Sequence, residues 1–354
     1  MDEVGNPSSV HAEGRKAKAI VERARAQVAA FAECDRSEVV FCSGATEAAA
    51  MVLDQDWDVV LVSDLCHDCI FVAAQEREAC HVIPAPRLLS ALSDDEWLGL
   101  LAVPDAGGRR LLAIPAADGE TGLAPSYQVL GDFARKAGWA VLVDATQVLG
   151  RAYFCFSDEP AKANADFAIA SSHKIGGAKG AGALLLRAGT QLRSPIRGGG
   201  QESGRRSGTE NVTAIAGFGA AAEAALLDGA QIETVENLRN ILEYSLEEAA
   251  PDLIIFGKDA PRLPNTSCFA VPGWKGETQV MQMDLAGFAV SAGSACSSGK
   301  VNKASRVLLA MGFDEVTASS AIRVSLGLTN TEAEVRAFAD AWIAAYRRWR
   351  AKAA

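Results

Sequence analysis

Five stretches of this sequence hold residue types whose order could do chemistry. Lys174 follows the apolar run Asp166-Phe167-Ala168-Ile169-Ala170 and the polar step Ser171-Ser172-His173, and Gly176, Gly177, Gly180 and Gly182 come next. Burial at the end of such a strand lowers a lysine pKa toward the neutral amine that forms Schiff bases; the plain alternative is a surface lysine on a glycine-rich hairpin. Asp144 closes the apolar run Val141-Leu142-Val143, with Gln147 one helical turn on. It reads either as an ordinary N-cap or as an acid that keeps a pyridine nitrogen protonated. Ser43-Gly44-Ala45-Thr46-Glu47 joins a strand to a helix, where open N–H groups, the helix dipole and a hydroxyl suit a phosphate, although many such junctions look alike. Arg197 to Asn211 is glycine-rich and basic, which suits a flexible loop or an RNA contact; Glu202, Glu210 and the lack of aromatics count against RNA. Cys296 sits among small residues in Val290 to Gly299 that cannot bury it. Most free cysteines are inert and buried, and one in such a loop is a better candidate for an accessible thiolate.

These groups need a scaffold, and the pattern supplies one. Apolar runs of strand length occur at 38–42, 58–63, 110–114, 139–144, 166–170 and 182–186, with helical patterns such as 89–101 and 127–137 between most of them. Near-continuous apolar strands alternating with helices imply a mostly parallel sheet covered on both faces, with ligands at the carboxyl ends of its strands. Ser43-Gly44, Asp144 and Ser171 to Lys174 all fall at such ends. A first helix places Ile20, Ala24, Val28 and Phe31 on one face. After the small-residue helix 217–227 the pattern changes to a long helix at 231–250 and short strands near 253–256 and 267–271. Thr331 and Glu334 have capping-box spacing ahead of a helix with the stripe Val335, Phe338, Trp342 and Tyr346. The expected organisation is a large α/β domain at 1–227 and a smaller α+β domain at 228–354 that carries the Cys296 loop.

With 354 residues, 49% hydrophobic and 22% charged, the chain reads as an ordinary globular protein with room for two cores. A formal net charge of -10 argues against nucleic acid as the main partner. No apolar run is long enough to span a bilayer and the N-terminus lacks signal-peptide character, so no membrane association and a cytoplasmic location are expected. The eight cysteines have no framework spacing. Cys66 and Cys69 form one C-x-x-C, read as coincidental because neither a second pair nor a helix start is evident there.

Taken together, these stretches resemble the NifS/IscS-type cysteine desulfurases of the class V aminotransferase family. The matching segments are GNPSSVHAEGR (5–15), SGATE (43–47), VDATQVLGR (143–151), SSHKIGGAKGAGAL (171–184), GGGQESGRRSGTENV (198–212), SAGSACSSGK (291–300) and IRVSLG (322–327), in family order along the chain. The resemblance implies the fold type I of pyridoxal 5'-phosphate enzymes, with Lys174 holding the cofactor through a Schiff base. It further implies that Asp144 pairs with the pyridinium nitrogen and Gln147 with the ring hydroxyl. Ala45, Thr46, Ser171 and His173 line the phosphate, and Thr209 reaches the phosphate of a neighbouring subunit in a homodimer. His67 stacks on the ring, Arg323 binds the substrate carboxylate, and Cys296 is the nucleophile that becomes a persulfide. The implied reaction converts L-cysteine to L-alanine and hands sulfur to an acceptor or iron–sulfur scaffold protein, for cluster assembly or thiolation. No standing metal site is implied; Cys296 is at most a transient iron–sulfur ligand.

Three departures from the family pattern accompany the match. The strand and loop that usually precede GNPSSVH are missing, so 1–12 reads as a remnant of that N-terminal segment. The family's Asn-Glu-x-Gly appears as Gly119-Glu120-Thr121-Gly122, and Ala178 replaces a proline. Two alternatives therefore stand beside the desulfurase: selenocysteine lyase or sulfinate desulfinase chemistry on the same fold, and an inactive cofactor-binding paralogue acting as a partner subunit.

Overall fold

The computed structural model describes residues 4–90, 92–103, 107–156, 164–293 and 304–353. Seven strands make the larger sheet: β1 (Val39–Cys42), β2 (Val59–Ser63), β3 (Cys80–Ile83), β4 (Arg110–Pro115), β5 (Ala140–Asp144), β6 (Phe167–Ser171) and β7 (Gly182–Leu186). Their spatial order is β1-β7-β6-β5-β4-β2-β3. The four pairings from β6 through β5, β4 and β2 to β3 are parallel, and β7 runs antiparallel to both of its neighbours. In chain order the helices up to this point are α1 (Ala12–Ala32), α2 (Ala45–Leu53), α3 (Asp68–Gln75), α4 (Ala85–Leu88), α5 (Asp94–Leu101), α6 (Tyr127–Lys136) and α7 (Val212–Leu227).

The strands read as apolar runs because both faces are covered. Every residue of β1, β2, β6 and β7 is buried. On one face, Met51 of α2 and Ile70 and Phe71 of α3 join Val60, Val62, Leu111, Ala113, Leu142 and Phe167 in a single core. A Val, Leu, Ile, Phe or Met side chain fully buried there contributes roughly 1.5–3 kcal/mol, which outweighs the weak intrinsic propensity of a nine-residue helix.

Two local expectations are corrected and one strand is added. In α1, Val21 takes the buried place expected of Ile20, so the buried seam runs Ala17, Val21, Ala24, Val28. That seam faces α7 at Gly219, where even a Cβ would come within 2.7 Å of the Ala24 Cβ. The helix expected at 89–101 starts only at Asp94, because the Ser93 backbone N–H donates to Glu96 Oε2 at 2.9 Å and caps a new helix. β3, with the sequence Cys-His-Val-Ile, is an edge strand with exposed middle residues and shows no apolar run.

The chain divides into two compact units. One comprises Met1–Ile83, Ser90–Ala116 and Ser126–Gly229; the other comprises Pro84–Leu89, Ala117–Pro125 and Ala230–Ala354. The second unit holds α8 (Ile232–Ala249), β8 (Ile254–Ile255), β9 (Thr266–Ala270), α9 (Gly276–Leu285), β10 (Ser291–Ala292), α10 (Arg306–Ala310), α11 (Glu315–Ser319), β11 (Ala321–Ser325) and α12 (Glu332–Ala353). Its antiparallel sheet has the order β10-β11-β9-β8. α12 begins with the expected capping box, since the Thr331 N–H donates to Glu334 Oε2 at 2.8 Å and the Glu334 N–H to Thr331 Oγ1 at 3.3 Å. Its stripe of Val335, Phe338, Trp342 and Tyr346 is buried against Leu242, Phe269 and Trp274.

Candidate active site

The first unit gathers most of the candidate residues at the carboxyl edge of its sheet, and strand register explains how. Gly182 at the start of β7 pairs with Cys42 at the end of β1 and with Ser171 at the end of β6. The Ser43-Gly44 turn and the Ser171-Ser172 step therefore flank one residue, and that residue must be small. A Cβ on Gly182 would lie 2.5 Å from Gly44 Cα and 2.6 Å from the Ala170 carbonyl oxygen. α2 starts at Ala45 with Gly44 as its N-cap, and Gly44 has no side chain to satisfy the N–H groups of the first turn. Thr46 is exposed and Ala45 half-buried there. The Ser171 hydroxyl lies 2.9 Å from His173 Nδ1. Burial, together with the cations of Lys174 and Lys179, lowers the His173 pKa and favours the neutral ring.

β6 ends in a short 3-10 turn, Ser172–Ile175, closed by Gly176 at φ 86°. This turn places Lys174 half-buried, rather than within the core as its strand-end position suggested. The reason is that the chain leaves the sheet at Ser172, which takes the fully buried position. The Arg151 Nη2 donates to the Lys174 carbonyl at 2.7 Å, and Arg151 Nη1 to the Gln147 carbonyl at 3.0 Å.

Asp144 ends the adjacent parallel strand β5 and is buried. Burial pushes its carboxyl pKa up; the Thr146 N–H, donating to Asp144 Oδ1 at 2.9 Å, and the charges of His67 and Lys174 oppose that rise without cancelling it. His67 is the exposed N-cap of α3, and its Nδ1 accepts the Cys69 N–H at 3.2 Å. A neutral His67 ring thus carries its proton on Nε2. The same cap corrects the reading of Cys66 and Cys69, which do flank a helix start. Cys66 is buried and its thiol donates to the Ala113 carbonyl at 3.5 Å.

The glycine-rich stretch at 197–211 is tied down by several side-chain bonds, two of which are ion pairs. Arg25 grips the buried Glu202 carboxylate at 2.7 and 2.9 Å, and the Phe41 N–H donates to it at 2.9 Å. Arg206 pairs with Glu47 of α2 at 2.8 Å. Burial alone would raise the Glu47 pKa, but hydrogen bonds from Arg206 and Ser43 outweigh it and hold the carboxyl below its ordinary value. Thr209 is exposed, three residues beyond Arg206.

In the second unit Arg323 lies on β11 between Ser291 of β10 and Cys268 of β9. Its Nη1 donates to the Gly119 carbonyl at 2.6 Å and its Nη2 to Ser291 Oγ at 3.2 Å. The Nε–H is buried with no acceptor among the described residues. An orphan donor on a half-buried guanidinium is what a carboxylate ligand would satisfy. Cys296 lies outside the described residues.

Sequence reasoning passed over Arg151, Thr146 and Ser172. Arg151 had a signal, since it stands four residues after Gln147 and closes the VDATQVLGR segment. Thr146 and Ser172 had none. Both side chains are buried, a property that only the packing creates.

Comparison with known proteins agrees with this architecture. The class-V aminotransferase family matches residues 1–338. A cysteine desulfurase of Cereibacter sphaeroides is 36% identical over 349 residues, covering 94% of this chain and 86% of that protein. A cysteine desulfurase of Frankia sp. is 38% identical over 359 residues, covering 95% of this chain and 83% of that protein. The X-ray structure of a NifS-like protein from Rickettsia africae superposes with a TM-score of 0.87 at 32% identity, over 98% of this chain and 93% of that one. The chain belongs to the class-V aminotransferase family, and within it resembles the cysteine desulfurases.

Proposed function

We propose that this chain is a pyridoxal phosphate-dependent cysteine desulfurase. The observation that carries the reading is that Asp144 ends β5 while Lys174 stands in the turn directly after the neighbouring parallel strand β6, close enough for the lysine charge to act on the carboxylate. The relatives named above, which are cysteine desulfurases over nearly the whole chain, support the same reading.

The residues present fit the cofactor. The uncapped start of α2 and the Ser171–His173 pair suit a phosphate, and the buried Asp144, braced by the Thr146 N–H, suits a ring nitrogen. When bound, pyridoxal phosphate supplies an electron sink for the substrate Cα. The protein's part follows from its own groups. Asp144 would keep the ring nitrogen protonated, Gln147 would bind the ring hydroxyl, and His67 would stack on the ring. Ala45, Thr46, Ser171 and His173 hold the phosphate, with Thr209 serving a neighbouring subunit in a homodimer. Arg323 fixes the carboxylate of L-cysteine through its free Nε–H. Lys174 binds the cofactor between turnovers, and its Nζ takes the Cα proton. The Cys296 thiolate then attacks the substrate sulfur: an S–S bond forms, the Cβ–S bond breaks, Cβ takes a proton from solvent, and alanine leaves once Lys174 has returned the proton to Cα. The sulfur passes from Cys296 to an acceptor or iron–sulfur scaffold protein, in the cytoplasm. No single helix among the described residues is long and apolar enough to cross a membrane.

The test is made on the purified chain. Visible absorbance of a lysine-bound cofactor is expected, lost in Lys174→Ala, with sulfide and alanine released from L-cysteine. Cys296→Ser is expected to keep the absorbance and lose the turnover. A Cys296→Ser variant that turned over at the wild-type rate would remove Cys296 from the mechanism, and absence of the absorbance would remove Lys174.

A further inference from the structure

Arg323 donates to the Gly119 carbonyl, and the residue before Gly119 is a buried acid with no role in the mechanism above. Residues 117–125 belong to the second unit and are laced to 261–263: Leu123 bridges Arg262, the Leu263 N–H donates to the Gly122 carbonyl at 2.8 Å, and the Ala124 N–H to the Pro261 carbonyl at 2.9 Å. Inside this segment lies a tight turn. The Asp118 N–H donates to the Leu123 carbonyl at 2.8 Å, and the Gly122 N–H returns to the Asp118 carbonyl at 3.1 Å.

The Asp118 side chain closes the turn from within. It is 3% exposed, and its Oδ2 accepts both the N–H and the hydroxyl of Thr121, each at 2.6 Å. Thr121 Oγ1 in turn accepts the Leu123 N–H at 3.2 Å. The peptide planes on either side of Gly119 therefore have little freedom, although glycine is the residue that would otherwise have most. The Gly119 carbonyl, fixed this way, takes one Arg323 donor at 2.6 Å, while Ser291 takes another. A guanidinium has five N–H donors in a rigid plane, so two fixed acceptors set the direction of the remaining three, Nε–H among them.

We propose that Asp118 is a positioning residue for substrate-carboxylate recognition, acting through the Asp118–Thr121 bonds and the Gly119 carbonyl to aim Arg323. This rests on the reading of Arg323 as the carboxylate site. Where the family pattern carries an asparagine amide, this chain offers only a main-chain oxygen, and Asp118 supplies the rigidity that oxygen needs.

The test compares equilibrium binding of L-alanine and of ethylamine, its analogue without the carboxylate, read from the visible absorbance of the holoenzyme. Wild-type protein is expected to favour alanine. Asp118→Ala is expected to weaken alanine roughly ten- to a hundredfold, the scale of one hydrogen bond to a charged group, and to leave ethylamine unchanged. Asp118→Asn keeps an acceptor for Thr121 and is expected to restore alanine binding. Thr121→Ala, a milder change, gives the same selective loss if Asp118→Ala fails to fold. A wild type that does not prefer alanine overturns the Arg323 reading and the proposal with it. A preference that survives in both Asp118→Ala and Thr121→Ala, or equal weakening of both ligands, overturns the proposal while the Arg323 reading stands.

Discussion

Arg151 and Lys174 are joined by a 2.7 Å hydrogen bond from the arginine Nη2 to the lysine main-chain carbonyl. The same guanidinium holds the Gln147 carbonyl at 3.0 Å, so one side chain ties together the segments that follow β5 and β6. Arg151→Ala is expected to leave the fold in place and lower pyridoxal phosphate affinity by roughly tenfold, the scale of a lost hydrogen bond from a charged donor. Arg151→Lys is expected to recover only part of this, because an ammonium lacks the planar fork that serves two carbonyls at once. Titration of the stripped protein with cofactor, followed by visible absorbance, measures both.

Gly182 and Gly176 separate two reasons for needing glycine. At Gly182 the added Cβ meets backbone atoms at 2.5 and 2.6 Å, which no rotamer change can relieve. Gly182→Ala is expected to cost about 1–3 kcal/mol and to disturb the α2 start as well. Gly176 has open space but a φ of +86°, so Gly176→Ala is expected to cost only the left-handed penalty of about 1–2 kcal/mol. Urea unfolding measures the stability of each, and cofactor titration shows which also loses the phosphate site.

Asp144 is held at a cost to stability. Burial raises its pKa above the ordinary value, so the folded, cofactor-free protein binds that proton more readily than the unfolded chain. The sign follows: its contribution turns unfavourable as pH rises through the unfolded pKa of about 3.9, and the whole penalty is present above the folded pKa. Asp144→Asn is expected to stabilise the stripped protein at neutral pH by on the order of 1 kcal/mol while abolishing turnover, the usual trade at a functional site. The gain over wild type should vanish below about pH 4, where the native carboxyl is neutral in both states. Denaturant melts of both proteins across that pH range decide it.

In the second unit Arg262 grips the Glu243 carboxylate at 2.7 and 2.9 Å, and Ser267 Oγ donates to it at 2.7 Å. Both charged side chains are buried. Arg262→Met alone is expected to destabilise by about 3–5 kcal/mol, because it strands a buried charge. Adding Glu243→Leu should recover most of that loss, since replacing a buried ion pair by apolar residues is often near neutral. A double-mutant cycle in urea measures the coupling.

Much of this protein is local and was therefore readable from the chain alone. β7 coincides with the expected run, and β2, β4, β5 and β6 lie within a residue of theirs, because strands covered on both faces must be apolar throughout. The α12 cap and stripe follow from spacing alone. Edge strand β3 escaped, since a strand with solvent on it has no such run. The strand ends that carry Asp144 and Ser171 were likewise legible as the ends of apolar runs. What only the tertiary structure decided is direction and partnership. Residue order does not show that Gly182 must pass close to Gly44, that Glu202 is gripped by Arg25, or that the Gly119 carbonyl accepts from Arg323. Each of these joins residues far apart in sequence. Such contacts are set by sheet register and close packing, which emerge only when the whole core has condensed.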